Sequence, residues 1–261
     1  MKSTPRSLAG QVVWRALDAT GEPHLPRYRA LIDSAFADVQ PAYATTSFGD
    51  LFRRRGRDAT WVASLLASDS YTEGYSATRL WQYASSLPDP RMGQSLRRHA
   101  TDEAKHSKLF ATALLKTFPQ LESPALRQDL ASNTPDLQRV DVRTALLDPP
   151  SPEELLSSML LINLYEVKAL FLCMLTKPVT LAHAPHESVP ALTPLFDAIA
   201  QDEGHHIRYT AAVLERACQE GHEDMVRAML RDFQDSINQV TYGDLETDLI
   251  NALAQEGSGH G

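Results

Sequence analysis

The prolines constrain this chain most, because they fall in clusters that leave helix-length blocks between them. Proline begins or ends an α-helix far more easily than it sits inside one. A block over residues 60–86 stops at the turn signal Leu87-Pro88-Asp89-Pro90, and the next, 91–117, stops before Pro119. Residues 120–150 are rich in Pro, Ser, Asp and Asn and read as a long connection, with short helices near 124–130 and 140–147. Ser151-Pro152-Glu153-Glu154 then reads as a capping box, with serine at the N-cap, proline at the first helical position and glutamate at the third. It opens a helix expected to reach about Thr176. A second linker, 177–193, carries Pro178, Pro185 and Pro190, and Thr193-Pro194 offers the start of a helix to about Glu220. Gly221 separates a last amphipathic block, 223–253, from a tail, 255–261, expected to be disordered. Ahead of all this stand a polar leader and one helix at about 25–39.

These blocks give an all-α chain: two helical hairpins joined by one long crossover, with flanking N- and C-terminal helices. Hydrophobic residues make up 43% of the chain and β-branched runs are short, which favours helix over sheet. A length of 261 residues suits one domain, 1–261, with its core at about 60–220, an N-terminal extension over 1–59 and a C-terminal helix and tail over 221–261. The net charge of -8 leaves no excess of Lys and Arg to neutralise a phosphate backbone, so no nucleic-acid partner is expected. Cys173 and Cys218 lack metal or redox spacing and read as core residues in a reducing compartment. Residues 1–15 contain no continuous apolar stretch of the signal-peptide kind. The most apolar segment, 155–175, contains Asn163, Glu166 and Lys168, which argues for a buried helix over a membrane span. A cytoplasmic protein with no membrane partner is the expectation.

Two helical blocks carry one five-residue pattern: Asp102-Glu103-Ala104-Lys105-His106 and Asp202-Glu203-Gly204-His205-His206. Glu and His three apart on a helix project from one face and can reach one ion. Glu73 lies fifteen residues before Pro88 and Glu103 thirteen after Pro90, so at about 1.5 Å per residue an antiparallel hairpin sets them level. Glu166, ten before Thr176, and Glu203, nine after Pro194, level in the same way. Glu103 and Glu166 sit thirteen and fourteen residues past Pro90 and Pro152, as parallel second and third helices require. Four carboxylates and two imidazoles in one layer form a ligand set for two metal ions. Asp102 and Asp202 are then placed to orient His206 and His106, each across to the opposite helix.

On these residues the sequence resembles the ferritin-like non-haem diiron carboxylate superfamily, whose pattern is Glu, Glu-x-x-His, Glu, Glu-x-x-His, often as Asp-Glu-x-x-His. The resemblance covers about 60–220 and implies a ferritin-like four-helix bundle with the long crossover between its second and third helices. It also implies two iron ions, with Mn/Fe or Mn/Mn as variants. Glu73 and His106 would serve one ion and Glu166 and His206 the other, with Glu103 and Glu203 bridging. Arylamine N-oxygenases in this superfamily add a histidine one turn before the last Glu; here that position is Ile199.

The bland alternative is that these six residues form ordinary helix ion pairs, such as Glu103 with Lys105. It is disfavoured because Glu73 and Glu166 lie in weakly charged stretches, where an unpaired buried carboxylate costs several kcal/mol. His99, one turn before Glu103, reads as a hydrogen-bonded structural histidine ahead of an extra ligand or substrate contact. His205 points about 100° away from His206, either to the surface or to a place behind the ligands. Tyr209 is on the face of His206 and is expected chiefly to pack. Tyr71, Tyr75 and Tyr165 should face away from the layer, and Ser76, on the face of Glu73, should simply make room. Leu80, Leu109, Phe110, Ile162, Leu170 and Ile207 could line a substrate cavity, although such stripes are more often plain core.

The function expected is that of an O2-dependent non-haem diiron oxidase or oxygenase acting on a small organic molecule, apolar or an aromatic amine. An external electron donor is a further expected partner, and a homodimer is among the assemblies left open. The other reading is a metal-handling protein, a ferroxidase or peroxide-removing relative of ferritin and rubrerythrin. A cage subunit would be shorter, and rubrerythrin would add a Cys-x-x-Cys module. The two long connections, 120–150 and 177–193, are expected to gate the site.

Overall fold

The computed structural model describes residues 7–21, 24–142 and 149–258. Among these the chain is all helical, without a strand: α1 (Leu8–Ala19), α2 (Pro26–Asp38), α3 (Thr46–Arg55), α4 (Ala59–Ser86), α5 (Pro90–Thr117), α6 (Pro124–Asn133), α7 (Pro152–His183), α8 (Val189–Gln219) and α9 (Glu223–Ser258). Each long helix of the first three begins at a side-chain cap. Asp58, Asp89 and Ser151 accept hydrogen bonds from the Thr60, Arg91 and Glu154 amides at 2.8, 2.9 and 3.2 Å. At Ser151 the expected box closes, its own amide donating to Glu154 Oε2 at 2.8 Å. One such cap contributes about 1 kcal/mol.

The proline-rich linker expected over 177–193 is instead mostly helix. α7 runs on through Pro178 to His183 and α8 begins at Val189, leaving a single 3-10 turn, His186–Ser188, between them. Proline frees one carbonyl of the preceding turn, and at Pro178 that carbonyl belongs to Met174, an exposed residue. Tertiary contacts secure the last turns. A Cβ on Gly56 would lie 2.4 Å from Val179 Cγ1, so α3 ends tight against α7, and His183 Nε2 donates to the Gly56 carbonyl at 2.8 Å. Thr193 is accordingly no N-cap; its hydroxyl donates to the Val189 carbonyl inside α8.

The ends of the chain also hold more helix than expected. α1 stands in the expected polar leader, with Ala9, Val12, Val13 and Leu17 buried and the helix packed on α8, and α3 stands between the expected helix at 25–39 and the block from 60, where the sequence offers no helix signal. α9 continues through 255–258, part of the expected disordered tail. In the crossover, α6 forms as expected, whereas the second short helix does not begin at 140–142, and 143–148 lies outside the described residues.

α4 pairs with α5 and α7 with α8, and the pairs meet where α5 lies against α7 and α8 and α4 against α7. α1 and α2 cover α8, α9 covers α7 and α8, and α6 rests on α4 and α5. Two apolar clusters fill the interior. The smaller holds Leu80, Ala84, Leu96, Ala100 and Met159; the larger includes Leu66, Phe110, Cys173 and Phe196. α7 is long and apolar enough to cross a membrane, yet more than half of its most apolar stretch is buried by neighbouring helices.

Candidate metal centre

Between the two apolar clusters lies one polar layer. Its glutamates stand at core positions: Glu73 seven residues from both Leu66 and Leu80, Glu103 from Leu96 and Phe110, Glu166 from Met159 and Cys173, Glu203 from Phe196 and Thr210. All eight flanking residues are buried. Seven residues are two helical turns, so each glutamate occupies a slot its helix otherwise gives to the core. The level of the layer survives the longer α7 and α8 because both grew at the same end, α7 by seven residues past Thr176 and α8 by five before Pro194.

Glu103, His106, Glu166, Glu203 and His206 are buried and Glu73 is half-buried. Their donor atoms interlock across the helices. Glu103 turns Oε1 to His206 Nδ1 at 3.3 Å and Oε2 to His106 Nδ1 at 3.6 Å. Glu203 does the same with Oε2 and Oε1, at 3.6 and 3.4 Å. Glu166 Oε2 meets His206 Nδ1 at 3.2 Å. Two groups of donors, each within 4.8 Å of one another, share Glu103: Glu73, Glu103 and His106; and His99, Glu103, Glu166 and His206.

The imidazoles are held from behind as expected. His106 Nε2 faces Asp202 Oδ2 at 3.2 Å and His206 Nε2 faces Asp102 Oδ2 at 3.5 Å, so each hairpin braces the histidine of the other. Both rings therefore present Nδ1 to the carboxylates, the arrangement that fixes a metal-binding tautomer. Lys105 Nζ adds a bond to Asp202 Oδ2 at 2.8 Å, which removes it as a partner for Glu103.

Protons balance the charge of this layer. Burial, then Glu103, Glu203 and Asp69, push the Glu73 carboxyl well above its ordinary value. Burial and Glu166 do the same to Glu203. Glu103 goes the other way: burial opposes its charge, but its interactions with Glu73, His106 and His99 outweigh it. Glu166 is likewise held low, against burial, by His99 and His206. His106 rises to about 10, since Asp202 and Glu103 overcome its burial, and His206 rises through Asp102 and Glu166. Within one layer, then, Glu103 and Glu166 are shifted towards the ionised form, Glu73 and Glu203 towards the neutral form, and both imidazoles towards the charged form.

Two buried atoms of the layer find no hydrogen-bond partner, His106 Nδ1 and Glu203 Oε2. An orphaned donor or acceptor in a dry interior is costly. Both lie on the inward side of the cluster, where a cation would satisfy them, and the donor chemistry of four carboxylates and two imidazoles suits a first-row divalent metal. The cluster can hold metal.

The remaining residues divide clearly. His99 is buried inside the cluster, with Nε2 2.9 Å from Glu103 Oε1 and Nδ1 2.9 Å from the Tyr209 hydroxyl. Tyr209 thus makes a specific bond in addition to packing, and its phenol stays neutral through burial and the charges of Glu166 and Glu103. His205 is half-buried beside a polar pocket of about 390 Å³ that also reaches Arg98, His99, His206 and Tyr209 between α5 and α8. Tyr71, Tyr75 and Tyr165 are exposed, but Tyr75 and Tyr165, expected to face away from the layer, line a cleft that reaches it. Leu80 and Ile162 pack in the smaller apolar cluster and Leu109, Leu170 and Ile207 in the larger, while Phe110 also reaches a cleft.

That cleft, about 560 Å³, opens between α4 and α7 and ends at Glu73, Glu103, Glu166 and Glu203. Phe110, Leu172, Ile199, Tyr75 and Tyr165 give it an apolar and aromatic wall, and Ser76 lines it too. Among the described residues nothing from 120–150 or 177–193 lines it, so the expected gating role of those segments finds no support. Asp69, which the sequence reading passes over, also faces the cleft, as does Cys173, expected there only as a core residue. Asp69 was legible in principle, four residues before Glu73 and so on its face. Burial raises its carboxyl to about 7 and the Cys173 thiol to about 12. A second polar knot, with Tyr28 donating to Asn163 Oδ1 at 2.9 Å and Asn163 donating to Thr210, ties α2 to α7 and α8 below the layer. No protein-family model, curated protein or solved structure matches the chain.

Proposed function

We propose that the chain is a ferritin-like, dinuclear metal protein, with iron the metal of first choice, that uses dioxygen to oxidise a small, largely apolar organic molecule. The observation that carries the reading is the polar layer itself: Glu103 and Glu203 each spanning from His106 to His206, with Glu73 and Glu166 at opposite ends. Glu73 and His106 would hold one ion and Glu166 and His206 the other, with Glu103 and Glu203 shared. The pairing of α4 with α5 and α7 with α8, with the crossover between, supports the ferritin-like bundle. When bound, a redox-active metal pair supplies the electrons with which dioxygen is reduced.

The protein's own residues do the rest. The cleft between α4 and α7 leads an apolar molecule to the carboxylate side of the layer, and Phe110, Leu172, Ile199 and the two tyrosines give it an apolar and aromatic wall. Asp69, at about 7, can carry or release a proton at its carboxyl beside that end. Asp102 and Asp202 keep the imidazoles aimed. An external donor restores the electrons, and a reducing compartment such as the cytoplasm keeps the buried, unpaired Cys173 and Cys218 as thiols. The cleft favours this reading over iron storage or peroxide removal, which need no cavity of that size or polarity.

The test is metal content per chain, taken with the absorption change when anaerobic Fe(II)-loaded protein meets O2. Two irons and a transient visible band are the expected result. No stoichiometric metal, or bound iron inert to O2 and peroxide, would overturn it.

A further inference from the structure

We infer that His99 is a seventh metal-binding side chain, so that the two metal positions are chemically unequal. This rests on the metal-centre reading above and deepens it. His99 stands four residues before Glu103, one helical turn, and shares its inward face. Its Nε2 lies 2.9 Å from Glu103 Oε1 and 3.3 Å from Glu166 Oε1. His206 Nδ1 lies 3.3 Å from the same Glu103 oxygen and 3.2 Å from Glu166 Oε2. Donors bound at about 2.1 Å and at right angles around one ion stand about 3 Å apart. These four groups already have the spacing of a coordination shell. The donor atoms of His99, Glu103, Glu166 and His206 all lie within 4.8 Å of one another, and the two rings lie side by side with centroids 3.6 Å apart.

The plain alternative makes His99 a hydrogen-bond link between Tyr209 and Glu103. That link depends on Glu103 and Glu166 having lone pairs to spare. A cation held by both carboxylates takes them, and His99 Nε2 then faces it with its own lone pair. The tautomer this requires is provided for: Nδ1–H has the Tyr209 hydroxyl as acceptor at 2.9 Å. His106 and His206 follow the same plan with the ring reversed, Nδ1 inward and Nε2 on an aspartate.

The hairpin repeat has no equal on the other side. Four residues before Glu203 stands Ile199, an apolar residue facing the cleft. The position of His206, Glu166 and His99 therefore has two nitrogen donors besides the shared carboxylates, and the position of His106 and Glu73 has one. Nitrogen-rich sites favour the later first-row metals and oxygen-rich sites suit Mn(II). The pair is built to bind its two ions in sequence, and to accept unlike ones.

X-ray absorption on the unaltered, Zn(II)-loaded protein decides it directly. Imidazole scattering should correspond to three rings over two ions, about 1.5 per ion; two rings, about 1.0 per ion, would overturn the inference. Zn(II) titration by calorimetry gives a second measure. His99→Gln should weaken one of two binding steps roughly 10- to 100-fold and leave the other within about twofold. Tyr209→Phe should weaken the same step less. Wild-type affinities at both steps in folded His99→Gln would overturn the inference and leave the metal centre standing. A wild-type chain that binds no Zn(II) would overturn both. Should His99→Gln fail to fold, the ring count on the unaltered protein is still decisive.

Discussion

Asp102 and Asp202 are only partly exposed, and each accepts a bond from a histidine that belongs to the opposite hairpin. Replacing either by Asn keeps shape and loses the charge that makes its imidazole a good donor. Asp202→Asn and Asp102→Asn should each weaken metal binding roughly 10- to 100-fold with an unchanged helical circular-dichroism spectrum; unaltered metal content would count against their role. Glu166→Ala should cut loading to one ion or none, read by metal analysis, and retention of two would refute its assignment. The metal-free protein also has a defined pH dependence. His106 keeps its proton up to about 10 when folded against 6.5 ordinarily, so it contributes stability that is full below 6.5 and lost as pH rises towards 10. Glu73 and Glu203, raised from 4.5, erode stability in the same direction. Glu166 and Asp202, held below 4.5 and 3.8, contribute stability that is lost as pH falls beneath those values. The urea midpoint of metal-free protein should therefore fall between about pH 6 and 9, and a rising midpoint would contradict the charge pattern. Bound metal should oppose that fall, since it displaces the same protons. The six ligand candidates were legible because Glu-x-x-His spacing and distance from a proline both survive translation into three dimensions. The setting of Asp69, Cys173 and Asn163 was not, because it depends on which faces of different helices meet.

At the scale of elements, the signals that stayed true were those with local chemistry. Ser151 with Glu154, and Asp89 before its helix, start helices where the sequence says they should. Pro178 and Pro194 misled, because the lost hydrogen bond of one proline is small beside the packing of Val179 on Gly56 and of Phe196 and Leu192 in the core. α1 and α3 escaped notice because each is short, and only their stripes of buried residues betray them. One close approach fixes the crossover. A Cβ on Gly74 would stand 1.7 Å from the Asn133 carbonyl oxygen, so the end of α6 lies directly on α4 beside Glu73. Asn133 Nδ2 donates to Ser70 and Thr134 meets Ser107 at the same place. Gly74→Ala should lift α6 and lower stability by about 1–3 kcal/mol, with faster proteolysis in the crossover. Unchanged stability and cleavage would show that α6 is not seated there.

At the scale of the whole molecule, four like-charged side chains in one interior layer are a liability unless cations or protons offset them. Metal should therefore act as a structural cement as well as a reagent. At a free concentration about a hundredfold above its dissociation constant, one bound ion adds about 2.7 kcal/mol, or roughly 5–10 °C of melting temperature for a chain of this size. Chelation should reverse that gain, measured by calorimetry. The crossed bracing of the histidines carries this further. Neither hairpin owns a finished socket: each supplies carboxylates and an imidazole, but the strut behind that imidazole comes from its neighbour. A chain docked one turn out of register would split the ligand layer by about 5.4 Å and lose both struts as well. Uptake of metal would then work as a proofreading step in assembly, sealing only those molecules whose two halves have met correctly.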